Sequence, residues 1–497
     1  MPCSRLVQSV QLKRWNAASG RVSGKGHGSK TRSEAAFHSH SLHRLGLVLV
    51  CFLLVTSVPA LAAVRTFDVT NFDVVGDGRT LNTAAFQKAI DTCSADGGGK
   101  LVIPAGKFVT GTIELKDNVT LHLDEGAEIL GSTNAADYRN VDPFIDGTGA
   151  ELGYALIVAL GAHHVGLEGQ GAIDGRGLAL KATQAAYTIR PFLVRWVRCD
   201  GVDVEDVQLR NSGAWTMHFF QSQNASVSRV TIRSLGLANN DGIDIDSCDH
   251  VRIMDCDIDT GDDAICLKAT SAKPCSNINV TGCKLRTRCN SIKFGTESMG
   301  NFEHIRISRC QIRDTRMNGI ALFSVDGSHL HDVEISDIEM DGITVAINLR
   351  LGSRLRTFRT GDQQKTPGLL RDVTLKNIHV KGARQIGLLI NGVPGHCVEN
   401  LTLENIQIEL AGGGTVEDAR IQLPENEKAY PEYNTFGKVM PASGIYARHV
   451  RNVTFKNVRT SVLAADARPA VIFVDVENVV PADFLAASTT PSTPARP

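Results

Sequence analysis

Residues 230–269 read VTIRSLGLANNDGIDIDSCDHVRIMDCDIDTGDDAICLKA. Two short apolar–polar–apolar triplets, Val230-Thr231-Ile232 and Val251-Arg252-Ile253, lie in this stretch. The series continues as Ile278-Asn279-Val280, Ile305-Arg306-Ile307 and Val333-Glu334-Ile335, at intervals of 21, 27, 27 and 28 residues. Alternation with period two marks half-buried β-strands. A second short apolar strand follows in each unit, as in Ile243-Asp244-Ile245, Ala264–Leu267 and Ser291–Phe294. Related triplets occur at Val119, Val165, Val202, Val373, Leu401 and Val453. The turns between them are rich in Asn, Asp and Gly, and no amphipathic helix long enough for a crossover separates them. A unit this short buries its apolar face only by stacking on the next unit. The predicted fold is therefore all-β, a right-handed parallel β-helix. Leucine-rich repeats share the period, but their Leu and Asn consensus is absent. The segment Thr83–Cys93, TAAFQKAIDTC, carries apolar residues at Phe86, Ala89 and Ile90. It predicts a helix that caps the N-terminal end of the stack.

Outward from this core, composition narrows the class. Apolar residues make up 42% of the 497, aromatics only 5%, and glycine counts 46, which suits a tightly turning β structure better than a helical bundle. The mean hydropathy of -0.06 excludes a multi-span membrane protein. Residues 45–58, LGLVLVCFLLVTSV, follow Arg44 and precede Ala60-Leu61-Ala62. The run is short for a membrane span and reads as a secretory signal peptide cleaved near residue 63; an N-terminal anchor helix is the alternative. The 44 residues ahead of it form an extended Ser-, Gly- and Arg-rich leader, or mark an upstream start. Residues 1–63 hold eight Lys or Arg and one Glu, so the remainder carries 44 basic and 52 acidic side chains, net -8. That balance argues against a nucleic-acid partner. The predicted organisation is leader and signal over 1–63, one β-helix domain over 64–484 and a disordered tail over 485–497. Seven of the twelve cysteines lie between Cys248 and Cys310 without a CxxC pair. In an exported chain some should form disulfides; the alternative is thiols stacked in the core.

Two consecutive coils crowd acidic residues, as Asn239-Asn240-Asp241-Gly242-Ile243-Asp244 and Gly261-Asp262-Asp263. Asp241 and Asp262 are 21 residues apart, one coil of the repeat. Stacking predicts them on adjacent rungs, roughly 4.8 Å apart. Sequential residues such as Asp262 and Asp263 point to opposite faces of a regular strand, so a bend at Gly261 is needed to bring both into one cleft. Carboxylates so close cannot all ionise at ordinary pH, and a raised acid beside an ionised base is the equipment of glycoside hydrolysis. An isolated Asp in such a turn is more often structural. Asp255-x-Asp257-x-Asp259 resembles the start of a calcium loop, but Thr260 stands where Gly is needed and Cys266 where Glu is needed. A cation held by the Asp262-Asp263 doublet is a further alternative.

Several segments together resemble the polygalacturonase-like glycoside hydrolases of family 28, across roughly residues 66 to 480. They are residues 72–91 (FDVVGDGRTLNTAAFQKAID), 97–123 and 126–132, then 169–177 (GQGAIDGRG), 190–192 (RPF), 210–219 (RNSGAWTMHF), the NND of 239–241 and the GDD of 261–263. The first three are shared by other pectin-lyase-like solenoids and specify fold more than chemistry. The resemblance implies an inverting hydrolase of pectic galacturonides that needs no metal and no cofactor. By residue, it implies Asp262 as general acid, with Asp241 and Asp263 positioning and deprotonating the attacking water. Two of the family's motifs depart here. Its Gly-His-Gly falls at Cys289-Asn290-Ser291, and its Arg-Ile-Lys near Ala321-Leu322-Phe323. The loss of those cations turns attention from plain polygalacturonate to oligogalacturonides or a rhamnogalacturonan. Candidate substrate contacts are Asn239, Asn290, Lys293, Lys268 and Arg350, the last in a basic cluster with Arg354 and Arg356. Lys293 follows Asn290 by three positions and reaches the cleft only if the chain bends there. The expected partner is an acidic polysaccharide or oligosaccharide, with no nucleic acid, no membrane after signal cleavage and a monomeric state. A polysaccharide lyase with a calcium site and a basic Arg or Lys, and a non-catalytic glycan-binding β-helix, are the competing readings.

Overall fold

In the computed structural model, residues 65–363 and 365–486 are described. The leader, the signal-like run of 45–58 and the tail from 487 lie outside the described residues. Almost every strand pairs in parallel with the strand one coil away. One coil consists of three short strands, for example Met217–Phe220, Gln223–Ser228 and Thr231–Ser234, followed by Ile243–Asp246, Asp249–Met254 and Asp257–Thr260. Three parallel sheets result, closed into the right-handed parallel β-helix that the repeats predict. Parallel crossovers take that hand because of strand twist.

The inward side chains form continuous apolar ladders. On the first sheet Ile243, Ile265, Ile292, Ile320 and Ile347 stand in register. On the second, Ala225-x-Val227 stacks on Val251-x-Ile253, Ile278-x-Val280, Ile305-x-Ile307 and Val333-x-Ile335. The predicted intervals of 27, 27 and 28 residues therefore measure true coils. The interval of 21 does not. Thr231 pairs with Asp257, so Val230-Thr231-Ile232 belongs to the third sheet, and Val251 stacks on Ala225. The similar V-x-I pattern on two faces of one coil produced that misreading.

A recurrent corner keeps the register. The residue just before each second-sheet triplet adopts the left-handed conformation: Asn224, His250, Asn277, His304, Asp332, Asp372, Asn400 and Asn452 all have φ between 51° and 58°. Asn and Asp tolerate that region at low cost. Their side chains link successive coils, as in Asn400 Nδ2 to Asp372 Oδ1 at 2.8 Å and Asn452 Nδ2 to Asn400 Oδ1 at 2.9 Å.

The predicted cap is present and slightly longer, Thr83–Ala95, with Phe86, Ala89, Ile90 and Cys93 buried against the first coils. At the other end the last strand runs Val471–Ala486, two residues past the boundary set by composition. The ten cysteines among the described residues are free thiols, eight of them buried, instead of the disulfides expected of an exported chain. Register places Cys248 beside Cys275, and Cys256, Cys283 and Cys310 in a column. Side chains on stacked parallel rungs point the same way with Cβ atoms about 4.8 Å apart, wider than the roughly 3.5–4.5 Å between the Cβ atoms of a disulfide. Among the described residues no helix is long and apolar enough to cross a membrane.

Three insertions leave the coil and cover the outside of the first sheet. One holds the strand Arg139–Ile145, which pairs antiparallel with the start of Glu151–Leu160, a strand that continues into the first sheet. The others are residues 352–368 and 411–444. Phe86→Ala should cost about 3–5 kcal/mol, as for a fully buried aromatic. Chemical denaturation checks this, and a wild-type midpoint would show that the helix does not seal the core.

Candidate active site

The acidic cluster lies on the outer side of the first sheet, where the strands begin. The ladder register continues through the turns, since Gly242 N donates to Asp263 O at 2.8 Å and Ala264 N to Asn290 O at 2.9 Å. Asp241, Asp263, Asn290 and Asn318 therefore occupy equivalent positions on four rungs. This corrects the expected pairing of Asp241 with Asp262. The step from Ile243 to Ile265 is 22 residues, one more than the spacing assumed, so Asp263 is the residue stacked on Asp241.

Asp262 belongs to the turn. Its Oδ2 accepts from Asn239 N at 3.1 Å and its Oδ1 from Asp263 N at 3.0 Å. The hydroxyls of Thr260 and Thr287 both donate to its carbonyl. These bonds turn the Asp262 side chain toward that of Asp263, and a donor atom from each, with the Cys289 sulfur, falls within 4.8 Å of the others. The bend expected at Gly261 is thus realised. Asp262 alone of the cluster keeps intermediate exposure, while Asp241, Asp244 and Asp263 are buried.

Both candidate lysines reach this cluster. Lys293 stands in register with Cys266 and Ala321, facing outward, and its Nζ donates to Asp263 Oδ2 at 2.9 Å. The chain bends between Asn290 and the strand Ile292–Ser298, so both side chains meet the same carboxylate. Asn290 donates to Asp263 Oδ1 through its backbone N at 3.1 Å and its Nδ2 at 2.7 Å. Lys268 Nζ donates to Glu297 Oε2 at 3.1 Å and lies 3.7 Å from Asp241 and 3.6 Å from Asp244. Its ammonium also sits 4.3 Å from the centre of the Trp215 ring.

The other candidates do different work. The Asn239 side chain accepts from Arg190 at 2.8 Å. Arg350 is buried and donates to the carbonyls of Glu425 at 2.8 Å and Asn426 at 2.9 Å, so it anchors the 411–444 insertion and lies away from the acids. Arg354 is paired with Asp326, and Arg356 Nη1 donates to Gly147 O at 2.7 Å.

Three acids that were not among the candidate site residues join the site. Asp244 alternates with Ile243 and Ile245 and could have been found by period two. Glu297 and Glu432 gave no local signal, because one sits past a break in strand register and the other arrives on an insertion 142 residues beyond Asn290.

Electrostatics separate the carboxyl groups. Burial, with Asp244 and Asp262 nearby, pushes Asp241 well above the usual range. Burial likewise raises Asp244 well above it. Neither oxygen of Asp244 has a hydrogen-bond partner among the described residues. Burial and the neighbouring Asp263 raise Asp262. Burial acts on Asp263 in the same direction, but Lys293 and Lys268 outweigh it and hold that carboxylate below its ordinary value. The two neighbouring carboxyls are thus shifted in opposite directions, Asp262 upward and Asp263 downward. Burial and both carboxylates raise the Cys289 thiol beside this pair well above its ordinary value.

The profile of glycosyl hydrolases family 28 matches residues 93–427. A probable polygalacturonase of Vitis vinifera is 30% identical over 63% of this chain and 59% of its own length. An exo-poly-alpha-D-galacturonosidase of Dickeya chrysanthemi is 28% identical over 42% of each. The chain spans about half the length of these two relatives. Among solved structures, a hyperthermoactive exopolygalacturonase from Thermotoga maritima superposes with a TM-score of 0.60 at 25% identity, over 70% of this chain and 87% of that one.

Glu297 supports a prediction from the cluster's charge balance. Burial would raise its carboxyl, but Lys268 and the Gly147 N–H, 2.6 Å from Oε1, bring it down to about 2 from 4.5. A depressed folded-state value contributes stability that is present above the unfolded value and lost as pH falls through the folded one. Wild-type stability should therefore decline between about pH 4.5 and 2. Glu297→Gln should be less stable at neutral pH and show a flatter decline in that window, as measured by denaturation across pH.

Proposed function

Because this chain belongs to the glycosyl hydrolases of family 28, we propose that it hydrolyses glycosidic bonds in pectic galacturonides, with Asp262 as general acid and Asp263 and Asp241 serving the attacking water. The observation that carries this reading is the split between neighbouring carboxyl groups, Asp262 raised and Asp263 lowered. The roles of acid and base follow from it. Asp262 is also the most accessible of these acids, as a donor to a leaving oxygen must be. Lys293 and Asn290 keep Asp263 ionised and fixed. Names of related proteins support the substrate class, since those quoted above act on galacturonides.

Inversion is the stereochemistry the family resemblance implies. It requires acid and base about 6.5–9.5 Å apart so that water fits between them, while retention uses about 5–5.5 Å. Asp262 and Asp263 bring oxygens within 4.8 Å of each other, so an inverting reaction needs Asp241, one rung away, to help hold the water. Export through the segment 45–58, one catalytic domain from residue 64 and a monomeric state complete the proposal.

The experiment is hydrolysis of a panel of pectic polymers and oligomers, with the anomer of the first product read by NMR. Asp262→Asn should cut turnover by about 10²–10⁴-fold, the usual worth of general acid catalysis, with an unchanged melting profile. Near-normal turnover in that variant would remove Asp262 from its role. A retained anomer would remove Asp241 from the mechanism, and an unsaturated product absorbing in the ultraviolet would identify a lyase.

A further inference from the structure

Glu432 occupies a site built to bind a carboxylate. It is 4% exposed and is brought in by the 411–444 insertion. Its Oε1 accepts from Asn290 Nδ2 at 2.9 Å and lies 3.3 Å from Lys293 Nζ, and its Oε2 accepts from Asn318 Nδ2 at 2.8 Å. One ammonium and two amide groups, from two adjacent rungs, thus converge on a carboxylate. This cradle adjoins Asp263, which shares both Lys293 and Asn290 with it. It would suit the carboxylate of a bound uronic acid, but the chain supplies its own.

The insertion is firmly held. Arg350 and Arg448 donate to the carbonyls of residues 423–426 at 2.8 to 2.9 Å. Leu423, Phe436 and Met440 pack with Val345, Ile386 and Leu389 in a small apolar core. Glu432 is therefore a fixed part of the cleft. The neighbouring rung offers no replacement cation, since Ala321 stands in register with Lys293. Lys268 is already engaged by Glu297, Asp241 and Asp244.

We propose that Glu432 is a specificity-determining residue that fills the carboxylate cradle, so that the subsite beside Lys293, Asn290 and Asn318 takes an uncharged hexose or deoxyhexose and rejects a uronate. This rests on the glycosidase reading above and refines its substrate to a pectic chain in which uronate and neutral sugars are joined at the cleaved bond. A uronate carboxylate entering there would find the ammonium and both amides already engaged by Glu432 and Asp263.

The test compares wild type, Glu432→Gln and Glu432→Asp on two oligosaccharide sets of equal length, one of galacturonate alone and one alternating galacturonate with a neutral sugar. Wild type should prefer the alternating set by about tenfold or more in kcat/KM, a difference worth 1.4 kcal/mol. Glu432→Gln should improve kcat/KM on the galacturonate set, mainly through KM, by about tenfold, while Glu432→Asp keeps the wild-type preference. Free galacturonate should inhibit the Gln variant and leave wild type unaffected. Equal wild-type rates on both sets, strong inhibition of wild type by galacturonate, or an unchanged preference in a folded Gln variant would each overturn the inference. Because two of those outcomes need only wild type, a misfolded variant leaves the question decidable. Cleavage of neither set would instead overturn the glycosidase reading itself.

Discussion

Rung-on-rung register is the constraint on which the rest of this structure depends. A parallel ladder repeats its hydrogen bonds every coil, so one residue position becomes a column running the length of the molecule. The inward columns are isoleucine, valine and leucine, and each coil covers the apolar face of the one before it. A slip of one residue would turn every inward side chain outward. The left-handed Asn, Asp and His corners restart each second-sheet strand at the same phase and resist that slip. The same register that builds the core also places Asp241, Asp263, Asn290 and Asn318 in one outward column.

An outward column of acids is costly once insertions cover it. Six carboxyl groups, Asp241, Asp244, Asp262, Asp263, Glu297 and Glu432, share two ammonium groups, Lys268 and Lys293. Burying an unpaired charge is far more expensive than neutralising it by protonation. The cluster resolves into two ion pairs, Lys293 with Asp263 and Lys268 with Glu297, and four carboxyls pushed toward the neutral form. The division of labour between Asp262 and Asp263 follows from this balance. A site with no surplus positive charge has a different affinity for anionic sugars from one with free cations, whatever the fold it sits on.

The β-helix was legible because its signal is redundant. Triplets such as Ile278-Asn279-Val280 and Ile305-Arg306-Ile307 report the same register many times over, and a single misplaced one, Val230-Thr231-Ile232, does not disturb the reading. The clustering of Asp241, Asp262 and Asp263 was legible because the motif lies within one coil and its successor. Their exact stacking was not, since one residue more or less in a turn leaves no mark in composition, and Asp263 took the place assigned to Asp262. The cysteines illustrate the same limit, because their columns emerge only once coil lengths are known. Glu297 was out of reach because it lies in its strand past a break in register, and Glu432 because long insertions carry no period and where they land is set by tertiary packing. Arg350 shows the converse, a residue of suitable chemistry whose partners turned out to be the carbonyls of such an insertion.

This separation of information suggests how specificity varies on such a scaffold. The coil supplies a column of outward positions at fixed spacing, and substitutions within it, such as Asn290, Lys293, Ala321 or Phe323, change one group at a time without altering register. An insertion changes many groups at once, because it adds a second wall whose side chains enter from above the column. Here the two are coupled. Asn290 and Asn318 present amide donors that Glu432 accepts, and Ala321 adds no charge and little volume beside Lys293. A bulky cation at 321 would compete with Lys293 for Glu432 and Asp263 alike. The small residue in the column and the acid on the insertion are therefore complementary, and the chemistry of the cleft belongs to the pair of walls together.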